Sequence, residues 1–291
     1  MTNYKKPIVI SEIGCNHKGD FSIAKELIKM SKEAGADVAK FQKRTNKELL
    51  TEEQYNAPHP NQSNAYGSTY GLHREFLEFS VDQHKELKSY AESIGIEYAT
   101  SVWDITSAKE IISLNPNFIK VPSACNNHFE MLKILRDEYK GDIHISLGMT
   151  NSEEEDSIIK FFEENNQAKN RLVVYACTSG YPVPFKDICL LEIKELQDKY
   201  QNRIKEVGFS GHHLGIAVDV SAYTLGAVYI ERHFTLDRTW KGTDHSASLE
   251  FAGLRKLCRD LKATQDALTY KSSDILEIEQ VQRDKLKYRV R

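Results

Sequence analysis

A regular alternation constrains this chain more than any other feature. Eight short apolar runs are spread along it, and each is followed by a stretch with helical spacing. The runs fall at 7–13 (PIVISEI), 36–42 (ADVAKFQ), 95–102 (GIEYATSV), 117–122 (NFIKVP), 142–147 (DIHISL), 171–177 (RLVVYAC), 206–210 (EVGFS) and 227–234 (AVYIERHF). Between them apolar residues recur at helical intervals, for instance Ile23, Leu27, Met30 and Ala34. Ser80 with Gln83, and Thr150 with Glu153, read as capping boxes that open helices, and a last helix is expected near 250–268. Strand–helix units repeated throughout predict a parallel sheet, and eight of them predict a closed (β/α)8 TIM barrel in one domain spanning 1–268. A doubly wound open sheet is the competing arrangement. Residues 269–291 read as a charged C-terminal helix or tail, suited to an oligomer contact.

Polar residues gather at one end of nearly every run: Glu12, Lys40 and Gln42, Ser101, Lys120 and Ser123, Ser146, Thr178, Ser210 and His212, and His233. In a barrel those ends converge on one mouth, where active sites lie. Residues 43–79 lack strand periodicity and are rich in Asn, Ser, Pro, Gly and Tyr. A connection of that length after the second strand reads as a lid over the mouth.

The formal net charge of -3 over 291 residues suits neither a nucleic-acid nor an anionic-membrane surface. No apolar run approaches the roughly 20 residues a membrane span needs. The N-terminus enters the first strand directly, so no signal peptide is expected. Five scattered cysteines without CxxC spacing read as reduced thiols in a cytoplasmic protein.

Lys40 and Lys120 stand in otherwise apolar strands, where a buried ammonium needs an anion. Either they form a cationic floor for phosphate and carboxylate, with Ser101, Ser123 and Ser146 adding neutral hydrogen bonds, or each pairs with a core Asp or Glu. His212 and His233 end adjacent strands and can share a divalent ion, with Glu12 and Asp244 in reach; core histidines are the competing reading. His213 and His245 read as solvent or supporting residues. No P-loop, G-x-G-x-x-G or G-x-S-x-G motif is present.

From "ISEIGCNHKGDFSIAKELIKMSKEAGADVAKFQ" through "FIKVPSACNN", "ISLGMTNSEE", "CTSGYPVPF" and "GFSGHHLGIA" to "YIERHFTLDRTWKGTDHSAS", the chain resembles the sialic acid (N-acetylneuraminate) synthase family over about 1–265. The resemblance implies a TIM barrel that condenses phosphoenolpyruvate with a sugar aldehyde, such as N-acetylmannosamine or a related hexosamine. The product would be a nonulosonic 2-keto-3-deoxy acid, with phosphate released. It implies a divalent metal, Mn2+ with Mg2+ or Co2+ as alternatives, on His212 and His233. Lys40, Ser101, Lys120, Ser123 and Ser146, with Tyr181 beside them, correspond to the phosphoenolpyruvate site. Glu12, Gln42 and Asp244 correspond to acceptor positions, Ser179 and Ser210 are expected to join the substrate-binding set, and a homo-oligomer is expected.

Three departures stand out. Cys125 replaces the acid that the family usually carries after Ser123, and so is the odd member of the catalytic set Lys40, Lys120, Cys125 and Glu12. Ser179 stands where many members have asparagine. No counterpart is expected for the family's small antifreeze-like C-terminal domain, which the resemblance implies would lend an arginine to a partner's sugar site; Arg44, Arg238 and the 43–79 segment are candidate substitutes. Competing functions are a synthase of the Kdo-8-phosphate or DAHP type, a two-histidine isomerase or aldolase, and a non-catalytic barrel that binds a sugar or a partner.

Overall fold

The computed structural model describes residues 4–164 and 167–288. Residues 1–3 of the expected barrel and 289–291 of the expected tail lie outside this range. All eight runs are strands: β1 Ile8–Gly14, β2 Val38–Lys43, β3 Glu97–Val102, β4 Phe118–Val121, β5 Asp142–Ser146, β6 Leu172–Cys177, β7 Glu206–Gly211 and β8 Tyr229–His233. They pair in parallel in the order β1 to β8 and close through β1–β8, so the fold is a (β/α)8 TIM barrel and not an open sheet.

Strand alternation builds two cores from one pattern. One set of side chains, including Ile10, Val38, Ala99, Phe118, Val173 and Tyr175, fills the barrel interior. The alternate set, such as Val9, Ala39, Phe41, Val121 and Ile145, meets Leu27, Leu87 and Leu132 of the surrounding helices. His144 completes the interior layer, stacked on Phe118 at 3.9 Å with its Nδ1 2.8 Å from the Tyr175 hydroxyl. Burial holds this imidazole well below its ordinary pKa, and therefore neutral.

The helix Phe21–Ala34 opens on Asp20, whose side chain accepts from the Ser22 and Ile23 amides, and closes on Gly35 at φ 96°. The Ser80–Gln83 capping box is formed. The second expected box lies one residue later, on Asn151 and Glu154. Thr150 cannot serve because its hydroxyl donates to the Gly148 carbonyl and accepts from the Asn126 amide.

The segment after β2 is more ordered than its composition suggests. It holds short helices at Asn46–Leu49, Glu52–Asn56 and Tyr70–Phe76, bound by an aromatic and imidazole cluster that includes His59 against His73 at 4.4 Å and Tyr66 against Phe76 at 5.0 Å. The Tyr66 hydroxyl donates to the Lys241 carbonyl, tying the segment to the loop after β8. In the tail, the helix Glu277–Leu286 has no buried residue. Among the described residues no helix is long and apolar enough to cross a membrane.

Behind the mouth, Arg232 of β8 is 1% exposed and is held by Asp219 at 2.5 Å, by the His213 ring at 3.0 Å and by the carbonyls of Gly215 and His213. This cluster fastens β8 to the loop and helix that follow β7. Asp219→Ala leaves the guanidinium buried without its counter-charge and should cost about 3–5 kcal/mol in urea unfolding. A loss below about 1 kcal/mol would show that the cluster does not hold the barrel together.

Candidate active site

Strand register alone assembles the mouth. Glu12 lies beside Lys40 on one side and His233 on the other; Ser101 lies between Gln42 and Lys120; Ser210 lies between Cys177 and Glu231. These side chains share the inward parity of Ile10, Val38 and Phe118, one or two layers higher. They line a cavity of about 300 Å³ at the C-terminal strand ends, together with Trp103, Ser123, Ser146, Met149, Ser179, Tyr181 and His212. A larger cavity, about 490 Å³, opens at the opposite end around Tyr4, Lys205 and Gly226, but it gathers no imidazole, and its Lys5–Glu206 ion pair lies at the surface.

Four buried charges form the floor. The Lys40 ammonium lies 2.5 Å from Glu12 and 3.6 Å from Glu231, and donates to the Ser101 hydroxyl at 2.8 Å. Lys120 reaches both oxygens of Glu231, at 3.0 and 3.1 Å, and rests 3.6 Å above the Tyr175 ring. Ser210 donates to the same carboxylate at 3.1 Å. Each expected lysine thus has a core carboxylate, and the two stand together at the mouth.

Burial would raise the Glu231 carboxyl, but Lys120 and Lys40 outweigh it and hold this group well below the usual carboxylate range. Burial wins at Glu12, whose carboxyl is raised although Lys40 pulls it down. Burial also lowers Lys120, whereas at Lys40 the two carboxylates overcome it and raise the ammonium.

Above the floor, Gly14 at φ 54° marks where the three residues expected to hold an acceptor meet. A Cβ there would lie 3.0 Å from Gln42 Nε2, 3.3 Å from Glu12 Oε1 and 3.7 Å from Asp244 Oδ2. Gln42 donates to Glu12 at 2.9 Å, and Asp244 stands at the rim, outside the cavity lining. Across the mouth, Gly148 lets two hydroxyls approach each other, since a Cβ on it would meet Ser179 Oγ at 2.5 Å and Ser123 Oγ at 2.7 Å.

The ring centres of His212 and His233 are 5.4 Å apart, with Tyr181 4.4 Å from the first. His212 Nδ1 donates to the Thr178 carbonyl at 3.2 Å, which leaves Nε2 with its lone pair facing the cavity side. Burial, with the neighbouring His233, lowers the His212 pKa to about 3, so the ring is in the neutral form a metal requires. His233 Nδ1 is buried without a hydrogen-bond partner. The pair therefore fits a divalent ion. Among the described residues no third His, Cys, Asp or Glu completes a set of three, so the remaining positions would fall to water and substrate oxygens.

Cys125 requires a correction. Its thiol is 5% exposed and points at the carbonyls of Val102 and Pro122, and burial raises its pKa far out of the working range. It packs in the core below the mouth and cannot transfer a proton there. Arg44 and Arg238 are also diverted: Arg44 binds Glu78 at 2.5 Å and the Cys15 sulfur at 2.7 Å, and Arg238 binds the Ser246 carbonyl. His213 joins the Arg232 cluster and His245 lies 2.7 Å from the Thr235 hydroxyl. Sequence reasoning missed Glu231, Trp103 and Cys177. The signal for Glu231 was its position between the inward Tyr229 and His233.

The chain matches the sequence model of the NeuB family over residues 27–273. It is 39% identical over 284 residues to human N-acetylneuraminate-9-phosphate synthase, covering 96% of this chain and 76% of that protein. It is 32% identical to the N,N'-diacetyllegionaminic acid synthase of Campylobacter jejuni, covering 91% and 78%. The fold is shared with the N-acetylneuraminic acid (sialic acid) synthetase of Leptospira borgpetersenii, solved in complex with citrate, at a TM-score of 0.79, 24% identity and coverage of 97% and 93%. With synthases of the sialic-acid type as its relatives and its polar cavity at the mouth of the same barrel, this chain belongs to the NeuB family.

Proposed function

We propose that the chain condenses phosphoenolpyruvate with the aldehyde of an N-acetylated hexosamine, giving a nonulosonic 2-keto-3-deoxy acid and inorganic phosphate. The observation that carries this reading is the convergence of Lys40 and Lys120 with the hydroxyls of Ser101, Ser123 and Ser179 in one cavity that also holds the imidazoles of His212 and His233. An isomerase or aldolase built on two histidines has no use for the paired ammoniums.

In the reaction, C3 of the enol forms a bond to the aldehyde carbon, and the aldehyde oxygen takes up a proton. Water then adds to C2, and the tetrahedral adduct breaks its C–O bond to expel phosphate. Lys40 and Lys120 hold the carboxylate and phosphate and fix the enol face. Ser123 and Ser179, drawn together over Gly148, donate to the same anion. Glu12, paired with Lys40 and accepting from Gln42, fixes the acceptor beside the enol, and the water that adds to C2 releases the proton that the new alkoxide needs. His212 and His233 would hold a divalent ion, manganese by family resemblance, which would supply Lewis-acid polarisation of the aldehyde oxygen. The names of the relatives do not agree on an acceptor, since one specifies a 9-phosphate and another a diacetylated product.

Three measurements test the reading. Phosphate release should require phosphoenolpyruvate and an aldohexosamine together; release with arabinose 5-phosphate or erythrose 4-phosphate, and not with hexosamines, would assign the Kdo-8-phosphate or DAHP type instead. Lys120→Ala should weaken phosphoenolpyruvate binding about 100-fold by calorimetry, and unchanged affinity would remove the lysine pair from the site. Elemental analysis should find about one manganese per chain in the parent and little in His212→Ala, with full retention in the variant excluding the pair as the ligand set. In contrast, Cys125→Ser should change kcat by less than about threefold, since the thiol makes no contact with the cavity.

A further inference from the structure

The helix Phe251–Ala267, which follows β8, begins without a side-chain cap. Glu250 stands at its N-cap, but its carboxylate accepts from the Arg238 amide at 3.0 Å and gives nothing to the helix. The amides of the first turn are therefore unpaired, and the positive end of the helix is left open. Ala252 and Gly253 of this turn, with Glu250, line a cavity of about 290 Å³ that also takes in Gly215 of the loop after β7, Arg232, Arg238 and Lys256. The cavity shares no lining residue with the mouth, because alternation along β8 turns Arg232 away from the side that His233 faces.

The donors in this cavity outnumber its acceptors. Arg232 is paired with Asp219, yet its Nε is buried without a hydrogen-bond partner, in a residue 1% exposed. Arg238 gives Nε and Nη2 to the Ser246 carbonyl and leaves Nη1 free. Among the described residues neither Arg238 nor Lys256 forms an ion pair, and the one carboxylate set against these two charges is that of Glu250. Gly215, at φ 80°, would carry a Cβ that meets nothing within 4 Å, so packing does not close that wall. A buried N–H without an acceptor is destabilising, and a helix N-terminus beside cations favours an anion.

We infer that this cavity binds a phosphate-class oxyanion, either inorganic phosphate or the phosphomonoester end of a metabolite, at a site separate from the mouth. Its oxygens would accept from the amides of Ala252 and Gly253 and from Arg232 Nε, while Arg238 and Lys256, both exposed, supply the counter-charge. The Glu250 carboxylate opposes that charge and limits the affinity.

Calorimetry with inorganic phosphate on the full chain is the test. It involves neither phosphoenolpyruvate nor turnover, so its outcome is independent of the condensation reading. Phosphate should bind with a Kd of about 1 mM. Arg238→Gln and Lys256→Gln, at exposed positions that leave the fold intact, should each weaken it, the first about tenfold. Glu250→Gln keeps an oxygen for the Arg238 amide and removes a negative charge, so it should tighten binding about threefold. A merely structural role for these side chains would not give changes of opposite sign. Glycerol 2-phosphate separates the two sources: tighter binding than phosphate assigns the site to a phosphomonoester, weaker binding to the free ion, and either upholds it. No binding up to about 20 mM phosphate would overturn the inference. So would an isotherm indifferent to all three substitutions, which would place the anion at the mouth.

Discussion

Everything at the mouth depends on one buried chain of alternating charge, Glu12–Lys40–Glu231–Lys120. Four ionised groups within a barrel interior are tolerable only if each faces an opposite charge at close range, because removing any one strands its neighbour at a cost of several kcal/mol. That requirement fixes the rotamers of both lysines and places their ammoniums in a single layer. The layer rests on Tyr175 and Phe118 below, and it supports Gln42 and Asp244 around Gly14 above. At its base the site is held by these ion pairs, whereas Lys18 and Lys241 outside the cavity lie over aromatic rings.

How much of this was legible in the sequence follows from period and parity. The eight strands were readable because each is a short apolar run bounded by breakers, and their number implied closure. The inward set could be followed wherever one polar residue interrupts an apolar strand, as Lys40 and Lys120 do. Glu231 escaped because it sits in a run of polar residues, Glu231-Arg232-His233, where alternation is masked: Arg232 is also buried, but faces the helices. The capping box at Thr150 slipped by one residue because its hydroxyl is taken up by Gly148 and Asn126, a tertiary demand that no local pattern carries.

Cys125 shows a different limit. Correspondence with a family position identified where an acid usually stands, but the sequence cannot say that a smaller, apolar side chain will turn into the core toward Val102 and Pro122. The segment after β2 was read as irregular because its helices are too short to show periodicity; they are held by contacts among His59, Tyr66, His73 and Phe76 that are specific to the folded chain.

The ring under Lys120 has a consequence for turnover. An anion that enters the floor must compete with Glu231 for the ammonium, and a charge left bare during that exchange would form a kinetic barrier. Tyr175, 3.6 Å below and fully buried, is an uncharged partner for the ammonium that does not compete with an incoming anion. The lysine can thus trade one counter-ion for another without passing through an unsolvated state, and product can leave by the same exchange run backwards.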